Sequence, residues 1–236
     1  AFTMTTAIAH PNFALIKYWG KSNSRLNVPA AGSISLTVDK LTTKTTVSFD
    51  ANLKKDVVWL NGRQLDSPEL TRLRSFLDLI RKVAGESRRA EVVSSNNFPT
   101  AAGIASSSSG FAALSLAASS SLGLKLTPEE LSAIARRGSG SAARSIYGGF
   151  VELVAGDRAD GRDSIAKPIA DEKFWPLSVL IAITSFEYKK IGWTNGMNLT
   201  SETSPYYSAW IVSTRQDLPE MRAAIGARNF TKLGEL

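Results

Sequence analysis

Three short stretches concentrate the groups that could do chemistry. Asn97–Gly110 reads NFPTAAGIASSSSG and runs straight into FAALSLAASSSLGL. Small side chains, glycines and a serine run let backbone N–H groups and hydroxyls close around phosphates, and the positive end of a following helix adds attraction. A Walker A loop would end in Gly-Lys-Ser/Thr, whereas Gly103 is followed here by Ile104, Ala105 and Ser106 with no lysine. The second stretch, AHPNFALIKYWGK at residues 9–21, sets Lys17 and Lys21 around Tyr18 and Trp19. Two ammonium groups beside an aromatic wall and a glycine invite a phosphate. The third, ARRGSGSAARSIYGG at residues 135–149, offers hydroxyls at Ser139 and Ser141 around Gly140. Arg144 follows three residues beyond Ser141, and a guanidinium suits a two-pronged grip on phosphate or carboxylate. His10 stands alone as the one histidine, so it is read as structural and belongs to no multi-histidine metal site.

The elements that must position these groups are legible as patterns. Thr5–Ala9, Ser33–Val38 and Lys44–Phe49 read as strands, and Val57–Leu60 leads into Asn61-Gly62, a strong hairpin signal. An antiparallel or mixed sheet follows from these. Ser67–Ala84 has helical spacing, and Ala90–Ser94 reads as a strand feeding the glycine loop. The run with Phe111, Leu114 and Leu116 among alanines reads as a closely packed helix whose serine-rich start points at a ligand. Thr127-Pro128-Glu129-Glu130 is an N-cap with proline at the first helical position and acids in the first turn, opening a helix to about Arg137. Gly148-Gly149 hands over to a strand, FVELV, and Leu177–Thr184 reads as a second buried strand. From Ser204 the spacing is helical, and the apolar stripe of Phe230, Leu233 and Leu236 is still running at the last residue, which reads as a fragment.

At 236 residues and 43% hydrophobic, the chain can bury a sizeable core. It has no run of about 18 apolar residues and no leader pattern at its start, so neither a membrane span nor a secretion signal is expected. Zero cysteines exclude disulfides and thiolate chemistry and fit a cytoplasmic protein. The net charge of +7 is scattered rather than gathered into one block. Its densest run, RRKVAGESRRA, reads as the solvated face of an amphipathic helix, so nucleic acid is not the expected partner. The surplus suits a pocket for a polyanionic small molecule instead.

Together the three stretches resemble the diphosphomevalonate decarboxylases, of the superfamily of small-molecule kinases that also holds galactokinase, homoserine kinase and mevalonate kinase. HPNFALIKYWGK, NNFPTAAGIASSSSGFAAL and ARRGSGSAARSIYGGF carry the likeness, VVWLNG and GMNLTSETSPYY support it, and it covers essentially the whole chain. The resemblance implies an α+β, two-layer kinase-like fold, one part resembling domain 2 of ribosomal protein S5. It implies an ATP- and substrate-binding domain over 1–185 and the incomplete start of a C-terminal domain over 186–236. It also implies a cytoplasmic homodimer acting on a small molecule, with ATP and Mg²⁺. Such enzymes phosphorylate the tertiary 3-hydroxyl of (R)-5-diphosphomevalonate; loss of that phosphate with CO₂ gives isopentenyl diphosphate.

Carried over motif by motif, Ala102, Gly103, Ile104, Ala105, Ser106, Ser107 and Ser108 are expected to hold the ATP phosphates. Tyr18, Lys21, Ser139, Gly140, Ser141, Arg144 and Met197 are expected to contact substrate, with Arg144 as the carboxylate clamp and Asn12 bracing it. Lys17 is expected beside the reacting hydroxyl. Two departures stand out. The family's catalytic aspartate, in an Asp-Ala-Gly-Pro-Asn motif, is expected beyond Leu236, so the chain as it stands is not expected to turn over. The family's serine pair lies in the segment after the Lys-Lys, which reads Lys189-Lys190-Ile191-Gly192-Trp193-Thr194-Asn195-Gly196-Met197 here, with tryptophan in place of serine at 193 and Thr194 as the hydroxyl that could restore the lost one. An indole at the diphosphate end leaves open a 5-phosphomevalonate decarboxylase or a mevalonate 3-kinase; a ring turned outward on a loop would leave the diphosphate substrate unaffected. A sensor of ATP or of isoprenoid precursors is the non-enzyme alternative.

Overall fold

The computed structural model describes residues 3–66, 69–99, 105–182 and 192–236. Along the chain come β1 (Thr5–Ala9), β2 (Asn12–Ile16), β3 (Lys21–Asn23), β4 (Val28–Pro29), β5 (Ser33–Thr37), β6 (Thr43–Asp50), β7 (Val57–Leu60) and β8 (Arg63–Gln64). Helix α1 (Glu69–Ala84), strand β9 (Arg89–Asn96), helices α2 (Ser106–Ser121) and α3 (Pro128–Gly138) and a 3-10 helix (Gly140–Ile146) follow. Strands β10 (Phe150–Leu153) and β11 (Ala166–Ala170) precede α4 (Trp193–Thr203), α5 (Tyr207–Gly226) and α6 (Phe230–Glu235). The strands form a five-stranded sheet ordered β1-β6-β9-β7-β8, a four-stranded sheet ordered β11-β10-β5-β2, and the short pair β3-β4. All pairings are antiparallel except β7 with β9. This is the α+β architecture the sequence implies.

Strand β6 alternates, turning Thr43, Thr45, Val47 and Phe49 inward. Val47 and Phe49 join Val58 and Val92 of the same sheet against Phe76, Leu77 and Ile80 of α1 and Phe111 and Leu114 of α2. Helix α2 is buried on most sides, and its alanines let it lie close to the sheet: Ala112 and Ala113 pack on Ala9. Two of its buried hydroxyls are satisfied, Ser115 donating to the Phe111 carbonyl one turn back at 2.5 Å and Ser109 meeting the Thr43 hydroxyl of β6 at 2.7 Å. Helix α3 starts with a full capping box: Thr127 Oγ1 accepts from Glu130 N at 3.2 Å, and Thr127 N donates to Glu130 Oε2 at 2.9 Å.

The strand expected over Leu177–Thr184 needs correction. Residues 177–182 form no strand, and Leu180 is 96% exposed; none of the described strands pairs with this stretch, so its backbone has no ladder to join. Residues 183 and 184 lie outside the described residues. The stretch through Arg144 is a 3-10 helix: Gly138 ends α3, and the Ser139 backbone between the two helices is extended.

Candidate functional site

The start of α2, the segment from Gly138 to Arg144, the β2–β3 stretch and the start of α4 converge on a cleft of about 560 Å³. It gathers Lys17, Tyr18, Lys21, Ala105, Ser106, Ser107, Ser139, Gly140, Ser141, Arg144, Met197 and Asn12, groups that lie as far as 185 positions apart in the sequence (197 − 12). Ala102, Gly103 and Ile104 lie outside the described residues.

Arg144 is only 1% exposed. Its Nε donates to Ser35 Oγ at 2.8 Å, Nη1 to Ser33 Oγ, and Nη2 to Asn12 Oδ1 at 3.2 Å. Asn12 is pinned in turn by donating to Ser141 O at 2.9 Å and Ser145 Oγ at 2.7 Å. The partners are neutral, and no carboxylate among the described residues pairs with this guanidinium. Burial therefore pulls its pKa down to about 10, the Tyr18 phenol acting the other way. A buried cation without a counterion is costly, and one lining a cleft is built to meet an anion.

Tyr18 lies against Gly140, where a Cβ would come 2.3 Å from Tyr18 Cζ. The phenol donates to Asn27 O at 3.2 Å, and burial raises its pKa. Asn27 holds a left-handed φ of 52° and donates to the carbonyls of Arg136 and Arg137 at 3.1 and 2.9 Å, closing the end of α3. Gly140→Ala should therefore force Tyr18 out of the cleft wall and lower stability by about 1–3 kcal/mol, the usual cost of overpacking. Chemical denaturation measures it, and a midpoint equal to the wild type would mean that this contact is slack.

Helix α2 begins after Ala105, which adopts a left-handed conformation, φ 50° and ψ 32°, with no side-chain cap on the helix. That conformation costs a non-glycine residue about 1–2 kcal/mol, and strain of this kind collects at functional sites. Ser107 Oγ lies 3.4 Å from Ser139 Oγ, which lies 3.5 Å from Ser141 Oγ, so a line of hydroxyls runs from the helix start along the cleft. Ser108 faces elsewhere: it is fully buried and donates to Ala105 O at 2.7 Å. Ser106 and Ser107 also border a second hollow of about 190 Å³, walled by Val58, Leu60, Leu65 and Phe111.

At the other rim, Trp193 is the first residue of α4 rather than part of a loop, and it lines the cleft at 47% exposure. Its ring meets Trp19 edge-to-face at 5.8 Å, and Lys17 Nζ stands 4.7 Å from its centroid. The ring is thus turned inward to the cleft. Met197, one turn along α4, packs on Tyr18 and Val151 and is 6% exposed. His10 Nδ1 lies 3.0 Å from Leu41 O, consistent with a structural role. Sequence reasoning missed Asn27, Arg72 and Asn195 in the cleft wall, together with Ser33 and Ser35 behind Arg144. Asn27 alone carried a signal, as an asparagine between two short strands.

The sheets and helices that bring into one cleft an uncapped serine-rich helix start and a buried arginine with no carboxylate partner among the described residues define a protein with the fold of the small-molecule kinases. Residues 9–166 match the diphosphomevalonate decarboxylase-like N-terminal domain and residues 179–236 the mevalonate 5-diphosphate decarboxylase C-terminal domain, so the chain belongs to the diphosphomevalonate decarboxylase family. The diphosphomevalonate decarboxylase of Danio rerio is 43% identical over 250 residues, covering 99% of this chain and 61% of its own length. The chain thus spans about 61% of that relative. Mevalonate diphosphate decarboxylase from Staphylococcus aureus superimposes with a TM-score of 0.89 at 39% identity, covering 100% of this chain and 71% of its own. The protein called MDDEF, solved in complex with MVAPP, AMPPCP and magnesium, gives a TM-score of 0.89 at 39% identity, over 100% of this chain and 72% of its own.

Proposed function

We propose that the protein carries out ATP-dependent decarboxylation of (R)-5-diphosphomevalonate to isopentenyl diphosphate, with ADP, phosphate and CO₂ as the other products, by way of 3-phosphorylation. The observation that carries this reading is Arg144, a buried guanidinium lacking any described carboxylate partner and facing a cleft lined by hydroxyls and lysines. A substrate with a carboxylate at one end and phosphates at the other suits that arrangement.

The start of α2 fits a nucleotide's phosphates, since Ala105 caps it with no side chain and Ser106 and Ser107 stand beside it. The neighbouring apolar hollow, which shares those serines, suits the base. No group of three or more His, Cys, Asp or Glu among the described residues could cage a metal, which fits a Mg²⁺ carried largely by phosphates. ATP supplies the phosphoryl group that turns a poor leaving group, tertiary hydroxyl, into a good one. Arg144, braced by Asn12, fixes the carboxylate so that the C1–C2 electron pair can become the C2=C3 bond as phosphate leaves C3. Tyr18, Lys21, Ser139, Gly140, Ser141 and Met197 shape and hold the remainder of the substrate, and Lys17 stands near the reacting hydroxyl. Ala102, Gly103, Ile104 and Ser108 belong to the proposed nucleotide loop, Ser108 through its place in the helix start rather than its hydroxyl.

The division into an N-terminal unit over 1–185 and a C-terminal one from 186 is part of this proposal, supported by the two matched segments, 9–166 and 179–236. So is a cytoplasmic homodimer. No helix of the described residues is long and apolar enough to cross a membrane. Titration calorimetry tests the binding half of the reading: 5-diphosphomevalonate should bind with a Kd of about 1 mM or tighter, and isopentenyl diphosphate, which keeps the diphosphate but has no carboxylate, should bind more weakly. Equal affinity for both would remove Arg144 from substrate recognition.

A further inference from the structure

Arg136 sits in the last turn of α3, is only 2% exposed, and walls neither hollow. Its guanidinium is spent on three backbone carbonyls from two other segments: Nη1 donates to Leu26 O in the β3–β4 turn, and Nε and Nη2 donate to Ser164 O at 2.9 Å and Gly161 O at 2.7 Å between β10 and β11. Gly161 holds a φ of 65°, and a Cβ there would come 2.7 Å from Val28 Cγ2, so glycine lets this loop lie against β4. Burial pulls the pKa of Arg136 down to about 10, with the Tyr18 phenol the main opposing influence. A buried charge hydrogen-bonded to dipoles alone is weak evidence for stability; what the three bonds fix is where the segments lie. The β3–β4 turn returns the grip. Asn27 Nδ2 donates to the carbonyls of Arg136 and Arg137, while Arg136 holds the carbonyl of the preceding residue, Leu26. Each segment donates to the other and accepts from it, so neither shifts without breaking bonds in both directions. Asn27 also presents its own carbonyl to the Tyr18 hydroxyl at 3.2 Å, and both residues line the cleft.

We propose that Arg136 and Asn27 form a reciprocal clamp that holds the Tyr18 phenol in the cleft wall, which makes Arg136 a positioning residue for a site it does not touch. The part Tyr18 plays in substrate binding rests on the reading above. The bond to Asn27 O is longer than the usual hydroxyl bond of about 2.7–2.8 Å, so it sets the place of the hydroxyl without locking up its proton. A phenolic proton turns about the Cζ–O bond. It can therefore pass from Asn27 O to an oxygen of an incoming anion while the ring stays where Gly140, Ala143 and Met197 pack it. With the turn loose, the hydroxyl end of the ring loses its reference, and ordering it becomes a cost of binding.

The test uses the full-length protein in two measurements: fluorine NMR with 3-fluorotyrosine in place of tyrosine, and calorimetry with 5-diphosphomevalonate on unlabelled protein. Tyr18→Phe assigns the Tyr18 resonance. Asn27→Gly keeps the left-handed backbone and the carbonyl but removes the amide. The Tyr18 resonance should then shift or broaden, and 5-diphosphomevalonate should bind about 3–10-fold more weakly, the worth of one hydrogen bond. In the Tyr18→Phe background the same change should cost less than about twofold; an equal loss in both backgrounds means that Asn27 acts apart from Tyr18 and overturns the proposal. Arg136→Lys keeps the charge but cannot reach three carbonyls, and it should share both changes. Wild-type resonance and affinity in that variant would show that charge alone is enough and overturn the role of Arg136. If Arg136→Lys folds poorly, Asn27→Gly still decides: an unmoved Tyr18 resonance, or an unchanged affinity, overturns the proposal. Should the wild type fail to bind 5-diphosphomevalonate, a moved Tyr18 resonance in Asn27→Gly would uphold the clamp and sink the substrate reading, and an unmoved one would sink both.

Discussion

Replacing Arg144 by lysine should cost the full-length protein nearly as much activity as replacing it by alanine. Its guanidinium spends donors on Ser33, Ser35 and Asn12 while one edge faces the cleft, and a single ammonium cannot span those partners and a carboxylate together. Losing one member of a buried, hydrogen-bonded charge pair costs about 2–5 kcal/mol, so kcat/KM for 5-diphosphomevalonate should fall by about 30-fold to several thousand-fold in both variants. Stability should move differently. An unpaired buried charge is a burden on the fold, and an apolar residue of similar length is often neutral or stabilising in such a place. Arg144→Met lifts that burden but leaves Ser33 Oγ, Ser35 Oγ and Asn12 Oδ1 without their donor, so it should lose function while its melting temperature falls by only a few degrees. Lysine restoring most of the activity would show that long-range attraction is all the site needs, and a collapsed melting temperature in Arg144→Met would make the residue a structural strut.

Ser107→Ala should lower kcat by about 10²–10³, or about 2.7–4 kcal/mol, the worth of one fixed donor aimed at charge that develops during reaction. The hydroxyl stands at the start of α2, where the helix field favours anions, and heads the line that continues through Ser139 and Ser141. Because the gain is realised chiefly in the transition state, the KM for ATP should change far less than kcat. Steady-state kinetics separates the two. Unchanged kcat, or a loss confined to KM, would place Ser107 outside phosphoryl transfer.

Much of the frame was legible because it rests on local rules. Val57–Leu60 with Asn61-Gly62 gave a strand and hairpin with the bounds found, since turn chemistry fixes register. Thr127 and Pro128 marked the start of α3 to the residue because the capping box is written in four consecutive positions. What failed depends on distant partners. The apolar run 177–182 has a strand's composition, but a strand needs a neighbour, and none of the described strands lies beside it. Gly140, in the 3-10 helix that leads to Arg144, packs on Tyr18, a contact across more than a hundred residues. In the site the split is similar. Lys21, Ser107, Ser139 and Arg144 stood in dense motifs, whereas Arg72 sits on an ordinary basic helix and enters the cleft only through Phe111 and Gly138. Trp193 could be read as an anomaly in sequence, but its direction is set by Trp19 and Lys17, which no local pattern connects to it.

On the proposed reading, this cleft couples ATP consumption to loss of the substrate's carboxylate. The direct measurement follows 5-diphosphomevalonate labelled at C1 with the full-length protein, ATP and Mg²⁺, counting released CO₂ against ADP. Equal amounts of CO₂ and ADP, with isopentenyl diphosphate as the organic product, are the expected result. ADP formed without CO₂ would make the protein a kinase that stops at the 3-phosphate, and the absence of both products would contradict the proposed activity altogether.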